Sequence, residues 1–275
     1  MENTPLLGIE HHIYRRDGMI RLHRVGAGEP VLFLHSVGTS GESWGSILDK
    51  LSHQFSCYVV DLPGHDHSDI PPRKYSLDDY AESIVDVIDA AGLKSVNIVG
   101  SHTGAMIAAI VAASHPELVA SLVLDGLPYW NMEQGKIIWE RWFSPMYSDT
   151  SSYHIPVVSI PTWEDAKAKN PHLTKDAWKR KNILSEKSRL WWRWSQEANS
   201  HYDMPSLGPK IKAPTLLLFG DTDTLRRTED LAHRDIVKSI HRVIENCPGQ
   251  LNTYQPVALA DAISLFLTSE MHTLN

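Results

Sequence analysis

The segment Gly100-Ser101-His102-Thr103-Gly104 sets an imidazole between two glycines, directly after the apolar run Val96–Val99 and directly before the small and apolar residues Ala105–Ser114. Glycine lacks the Cβ that blocks close backbone approach, so this spacing allows a sharp strand-to-helix turn with His102 at its tip. An imidazole titrates near neutrality and can take a proton from water, a hydroxyl or carbon, or attack a carbonyl itself. Ser101 is the competing nucleophile. Neighbours in an extended segment point to opposite sides, which turns its hydroxyl away from the face of His102. Of the other histidines among the fifteen, His35 is expected either to brace its own loop or to border the site, and His154, in Ser152-Tyr153-His154-Ile155-Pro156, to point into a pocket. The rest fall where no partner can be placed and read as surface or structural residues.

Several chemistries are excluded at this level. Cys57 and Cys247 are the two cysteines, far apart and without metal-ligand spacing, so neither a disulfide framework nor a metal site is expected. The glycines lack the spacing that cradles phosphates, so no nucleotide or other cofactor is expected. A net charge of −7 argues against a nucleic-acid partner, because coating phosphates requires a basic excess. No apolar stretch is long enough to span a bilayer, and the first ten residues carry no apolar run behind a basic start. The expected setting is therefore reducing and cytoplasmic, with a complete mature chain, no membrane partner, a small-molecule substrate, and a monomer or homodimer.

The elements that must position His102 follow from periodicity. Strand-length apolar runs at His11–Tyr14, Ile20–Val25, Val31–Leu34, Cys57–Val60, Val96–Val99, Leu122–Leu124, Thr215–Phe219 and Arg242–Ile244 alternate with segments of helical period. Ser76 with Asp79 three residues on resembles a capping box and opens a helix that ends near Gly92. Helices are also expected over about 43–53, 105–114, 228–238 and 256–267. The rhythm breaks between Leu127 and Pro209, where helix-like segments carry eight of the nine tryptophans. This pattern predicts an α/β fold with a mostly parallel central sheet, helices on both faces and an inserted helical cap. Residues 1–126 and 210–275 form the core domain and 127–209 the cap.

Four segments in the right order resemble the α/β-hydrolase family and span nearly the whole chain. Leu34-His35-Ser36-Val37-Gly38 looks like its His-Gly loop, with Ser36 where glycine is usual. Asp61-Leu62-Pro63-Gly64-His65-Asp66-His67-Ser68-Asp69 is similar to its strand-to-turn segment, which identifies the fold and not the reaction. Gly100 to Gly104 aligns with the G-x-S-x-G nucleophile elbow, with His102 in place of the serine. Pro248-Gly249-Gln250-Leu251-Asn252 resembles the Gly-His turn before the last helix, with Gln250 in place of the histidine. Gly220-Asp221-Thr222-Asp223 looks like the acid loop, with Asp223 the acid, and Asp125 stands at the alternative acid site. The resemblance implies backbone N–H groups of Val37 and Thr103 as an oxyanion hole.

A neutral amide cannot serve as a general base near pH 7, so the resemblance implies an atypical triad in which His102 takes over that task, with Asp125 or Asp223 as its partner. Two reactions fit: proton transfer of lyase type beside a carbonyl, and water-mediated hydrolysis of an ester or lactone. Attack by His102 itself ranks lower, because no second base assists it. The aromatic insertion implies a small apolar or aromatic carbonyl compound as substrate. Its contacts are expected from His35, Ser36, Ser101, Trp130, Trp142, His154, Gln250 and Leu251. Two alternatives stand beside this reading: a ligand-binding protein with a dead elbow, and a conventional serine hydrolase using Ser101.

Overall fold

The computed structural model of the protein describes residues 8–144, 162–169 and 175–269. Eight strands form one sheet: β1 (Ile9–Arg15), β2 (Gly18–Val25), β3 (Glu29–Leu34), β4 (Phe55–Val60), β5 (Val96–Ser101), β6 (Val119–Asp125), β7 (Thr215–Gly220) and β8 (Ser239–Ile244), in the order β1-β2-β4-β3-β5-β6-β7-β8. The pairs β1/β2 and β2/β4 are antiparallel and the rest parallel. Parallel neighbours need crossovers, and the helices that make them cover both faces of the sheet.

Strand alternation sorts side chains into two cores. Leu32, Leu34, Ile98, Leu122, Leu124, Leu217 and Phe219 face α2 (Leu77–Ala90) and α3 (Thr103–Ser114). Val31, Phe33, Val99, Val123, Leu216 and Leu218 face the opposite way, toward α1 (Gly45–Leu51). The central strands are therefore apolar without interruption, as strands buried on both sides must be. Ten of the residues of α3, Thr103 to Ala112, are buried, which explains why that helix is apolar all round and carries no polar stripe. Ser76 and Asp79 do form a reciprocal capping box at the start of α2.

Between β6 and β7 the described residues form helices and no strand. They are α4 (Met132–Ile138), a π-helical turn at Trp139–Phe143, α5 (Trp163–Lys169), α6 (Lys175–Ser200) and short 3₁₀ turns at Met204–Ser206 and Gly208–Lys210. After β7 come α7 (Glu229–Asp235), β8, the single turn α8 (Leu251–Tyr254) and α9 (Pro256–Thr268), which packs beside α1. One boundary differs from the sequence expectation: α7 stops at Asp235 and β8 begins at Ser239, three residues before the apolar run. The cause is position. β8 is the edge strand, and three of its first four residues are exposed, so its start carries no alternating signal.

Candidate active site

In a sheet of this type ligands bind beyond the carboxyl ends of the strands, and there the loops after β3, β5, β6, β7 and β8 converge. His102 follows β5 with φ 49° and ψ −107°, a conformation that costs any non-glycine residue strain. Two backbone hydrogen bonds hold it. Its N–H donates to Asp125 O at 2.8 Å, and its O accepts from Met106 N at 3.1 Å. The flanking glycines let the turn close: a Cβ on Gly100 would lie 2.4 Å from Gly104 O, and one on Gly104 would lie 2.1 Å from Leu34 O.

The imidazole sits between two buried carboxylates. Register pairs Ser101 with Asp125 across β5 and β6, and Ser101 Oγ donates to Asp125 Oδ2 at 2.8 Å. His102 Nδ1 lies 3.3 Å from the same Oγ. Since that hydroxyl proton is committed to Asp125, the oxygen is left to accept, which places the proton of a neutral His102 on Nδ1 and a lone pair on Nε2. Asp223 approaches the ring from the other side. A Cβ on Gly126 would meet His102 Cε1 at 3.1 Å, His102 Nε2 at 3.2 Å and Asp223 Oδ2 at 3.2 Å, so the bare glycine is the gap in which they face each other. Asp223 Oδ1 accepts from Leu225 N at 2.8 Å, while Oδ2 is buried without a hydrogen-bond partner.

Electrostatics follow from this burial. His102 is held below the usual histidine range by desolvation, against an opposing pull from the charge of Asp223. Asp125 is pushed up to about 7, first by burial and further by Asp223, while the hydrogen bonds of Ser101 and of the Leu251 amide pull it down.

Other residues expected at the site are distributed differently. Ser101 is 0% exposed, and its hydroxyl is engaged between Asp125 and His102. His35 is likewise fully buried: Nδ1 donates to Ser36 O at 2.8 Å, Nε2 accepts from Leu62 N at 2.9 Å, and burial lowers its pKa to about 4. It braces the loop. Leu251 is buried in the core beside α9, with no side-chain face open to a substrate. Trp142 is 64% exposed with Arg141 over its ring, so it walls no enclosed pocket. Trp130 is buried, and its indole N–H donates to Asn199 O at 3.1 Å. His154 lies outside the described residues.

Gln250 is exposed, with φ 51° and ψ 62°, at the start of α8. The glycine before it backs onto the acid: a Cβ on Gly249 would lie 2.9 Å from Asp223 Oδ2. Val37 and Thr103 are buried on either side of the elbow, and Ser36 is partly buried, its carbonyl taken by His35 and Thr39. Thr103 opens α3, and the N–H of a helix's first residue has no partner within the helix.

Two residues of α6 were not singled out by the sequence. Asn199 Nδ2 donates to Thr103 Oγ1 at 2.6 Å, while its Oδ1 is buried without a partner. Trp192 covers Gly38, where a Cβ would lie 3.6 Å from its Cε2, and its Nε1 is also buried without a partner. The signal was present as spacing: residues seven apart on a helix share a face, and this face lies over both loops that carry Val37 and Thr103. Two surface cavities, of 450 and 550 Å³, lie beside Asp17 and Asp69 and beside Lys74 and His201, and neither is lined by the elbow. The buried titratable groups converge at His102, which makes the elbow the candidate site.

A family model described as alpha/beta hydrolase fold matches residues 29–232. Epoxide hydrolase 4 of Mus musculus is 25% identical over 253 residues, covering 82% of this chain and 70% of that protein. The 2-hydroxymuconate semialdehyde hydrolase of Pseudomonas sp. is 31% identical over 129 residues, 46% of this chain and 45% of that one. Among solved structures, a putative lipase from Acinetobacter baumannii superposes with a TM-score of 0.79 at 19% identity, covering 97% of this chain and 93% of that chain.

Proposed function

The chain belongs to the alpha/beta hydrolase family, and on that premise we propose that it hydrolyses a small apolar or aromatic ester or lactone by direct attack of water, with His102 as general base. One observation carries this reading: the elbow imidazole is held on Nδ1 by the Ser101–Asp125 pair, while its Nε2 borders the gap over Gly126 that it shares with an unpartnered Asp223 oxygen. Nε2 takes a proton from water as the water oxygen bonds to the substrate carbonyl carbon. The charge that develops on the carbonyl oxygen is met by the amides of Val37 and Thr103. Asp223 steadies the imidazolium. When the tetrahedral intermediate collapses, the leaving alkoxide takes the proton back from Nε2, giving acid and alcohol and returning His102 to its neutral form. No acyl-enzyme is formed, which accords with the sealed position of Ser101. That relatives carry hydrolase names favours hydrolysis over lyase-type proton transfer.

The test compares the natural protein with His102→Ala on aryl esters, lactones and β-keto acids, following substrate and product by mass spectrometry. Loss of the base is expected to lower turnover by at least about two orders of magnitude. Equal turnover by the variant, or none by either protein, removes the support for His102 and leaves ligand binding without catalysis as the reading.

A further inference from the structure

The turn after β4 concentrates charge that the reaction at His102 does not use. Asp61 and Asp66 are 1% and 2% exposed, and His67 beside them is exposed. His67 Nδ1 lies 2.8 Å from Asp66 Oδ1 and 3.8 Å from Asp61 Oδ2, and one donor atom from each of the three lies within 4.8 Å of the others. Asp61 is already engaged: Oδ1 accepts from Gly41 N at 2.8 Å and Oδ2 from Arg21 Nη1 at 3.1 Å. Arg21 also binds Glu10 at 2.6 Å, so its positive charge is shared between two carboxylates, and the partner within reach of Asp66 is the exposed His67, through Oδ1. The second oxygen of Asp66, Oδ2, is buried and accepts no hydrogen bond.

A buried carboxylate beside a like charge and with one oxygen unpaired is costly, and a ligand that completes the site relieves that cost. A cation does so. It turns the repulsion between Asp61 and Asp66 into shared ligation, and a carboxylate has lone pairs enough to keep its Gly41 and Arg21 donors while binding a metal. The exposed imidazole opens the site to solvent, which supplies the route of entry and water for the remaining positions. One nitrogen and two carboxylate oxygens suit a first-row ion better than calcium or magnesium, which prefer oxygen alone.

We propose that Asp61, Asp66 and His67 bind a divalent cation of the zinc or manganese type. The site is structural in its effect. Asp61 holds Gly41, and the next residue, Leu62, gives its N–H to His35, so the ion stiffens the ground under the loop that carries Val37.

The experiment is calorimetry and thermal unfolding of the chelator-treated full chain with zinc, manganese or calcium chloride at pH 7.5. Zinc or manganese is expected to bind one to one and, at a hundredfold excess over Kd, to raise Tm by about 5 °C. Asp66→Asn and His67→Ala are each expected to weaken binding by at least about tenfold. Asp66→Asn also removes the repulsion, so its metal-free Tm rises while its response to metal disappears, an outcome that misfolding does not mimic. No heat and no shift up to 1 mM of either ion, on the order of the weakest protein sites, overturns the proposal, as does binding that both variants retain or a response to calcium alone.

Discussion

An imidazole at the tip of an elbow works as a base only if its proton is kept on the far nitrogen, and here Ser101 does the keeping. While Asp125 is ionised it accepts the Ser101 hydroxyl, Ser101 Oγ accepts from Nδ1, and Nε2 stays bare. Once Asp125 gains a proton it becomes a donor; the Ser101 hydroxyl is then released to donate to Nδ1, and the imidazole proton moves to Nε2 and blocks the base. Activity is therefore expected to fall as pH falls through about 7, the value to which burial raises Asp125. Protonation of His102 itself, lowered by burial, follows at more acid pH. Ser101→Ala cuts the link, so the acid limb of kcat/KM moves below 6.5, the ordinary histidine value. The cost at pH 8 is about tenfold, near the worth of one hydrogen bond. A limb that stays at 7 in Ser101→Ala shows that Asp125 does not act through Ser101. The positions of His102, Asp125 and Asp223 were legible because each lies at or within three residues of the end of an apolar strand, close to a glycine. The role of Ser101 was not, since it depends on a register between two strands that spacing along one strand does not encode.

Among the elements, α6 does the most to shape the site, and it does so through backbone proximity. Gly135 of α4 sits so close to its end that a Cβ would lie 1.7 Å from Ser200 O. Next to this contact Trp130 donates to Asn199, and Asn199 donates to Thr103 at the elbow. Gly135→Ala is therefore expected to push α4 off α6 and, through Asn199, to loosen the roof over Thr103. Overpacking of this kind costs about 1–3 kcal/mol, and kcat is expected to fall further than the loss of folded protein accounts for. Denaturant titration with parallel kinetics checks both effects, and a variant with unchanged kcat shows that the roof is independent of α4. The helices on either side of this contact were expected from composition and period. The faces they turn to the core were not, because tryptophans spread around the insertion give no single stripe: Trp191 is buried, Trp142 exposed and Trp192 half-buried over Gly38.

Across the whole sheet, the loops after the parallel strands β3 and β4 are tied together by a buried pair of histidines behind the site. His35, after β3, accepts the Leu62 N–H of the turn after β4, and His65 packs edge-on against it at 5.1 Å between ring centroids. Both rings are fully buried; burial lowers His35 to about 4, and burial together with the nearness of His35 lowers His65 to about 3. The mostly parallel sheet and the strand-to-turn segment were readable in the sequence, and His35 was expected to brace its loop or border the site; that both histidines are sealed from water was not readable, because burial is a property of the closed sheet and not of the segment. In the unfolded chain both titrate near 6.5, so between that pH and about 4 the unfolded state binds more protons than the folded one. Their contribution is present above 6.5 and is lost as pH falls toward the folded values. Each costs about 1.4 kcal/mol per pH unit over that window, so urea midpoints are expected to drop steeply between pH 6.5 and 4.5. His65→Asn lowers stability at pH 7.5 through lost packing but halves the acid slope contributed by the pair, whereas a parallel decline in both proteins would place the acid sensitivity elsewhere.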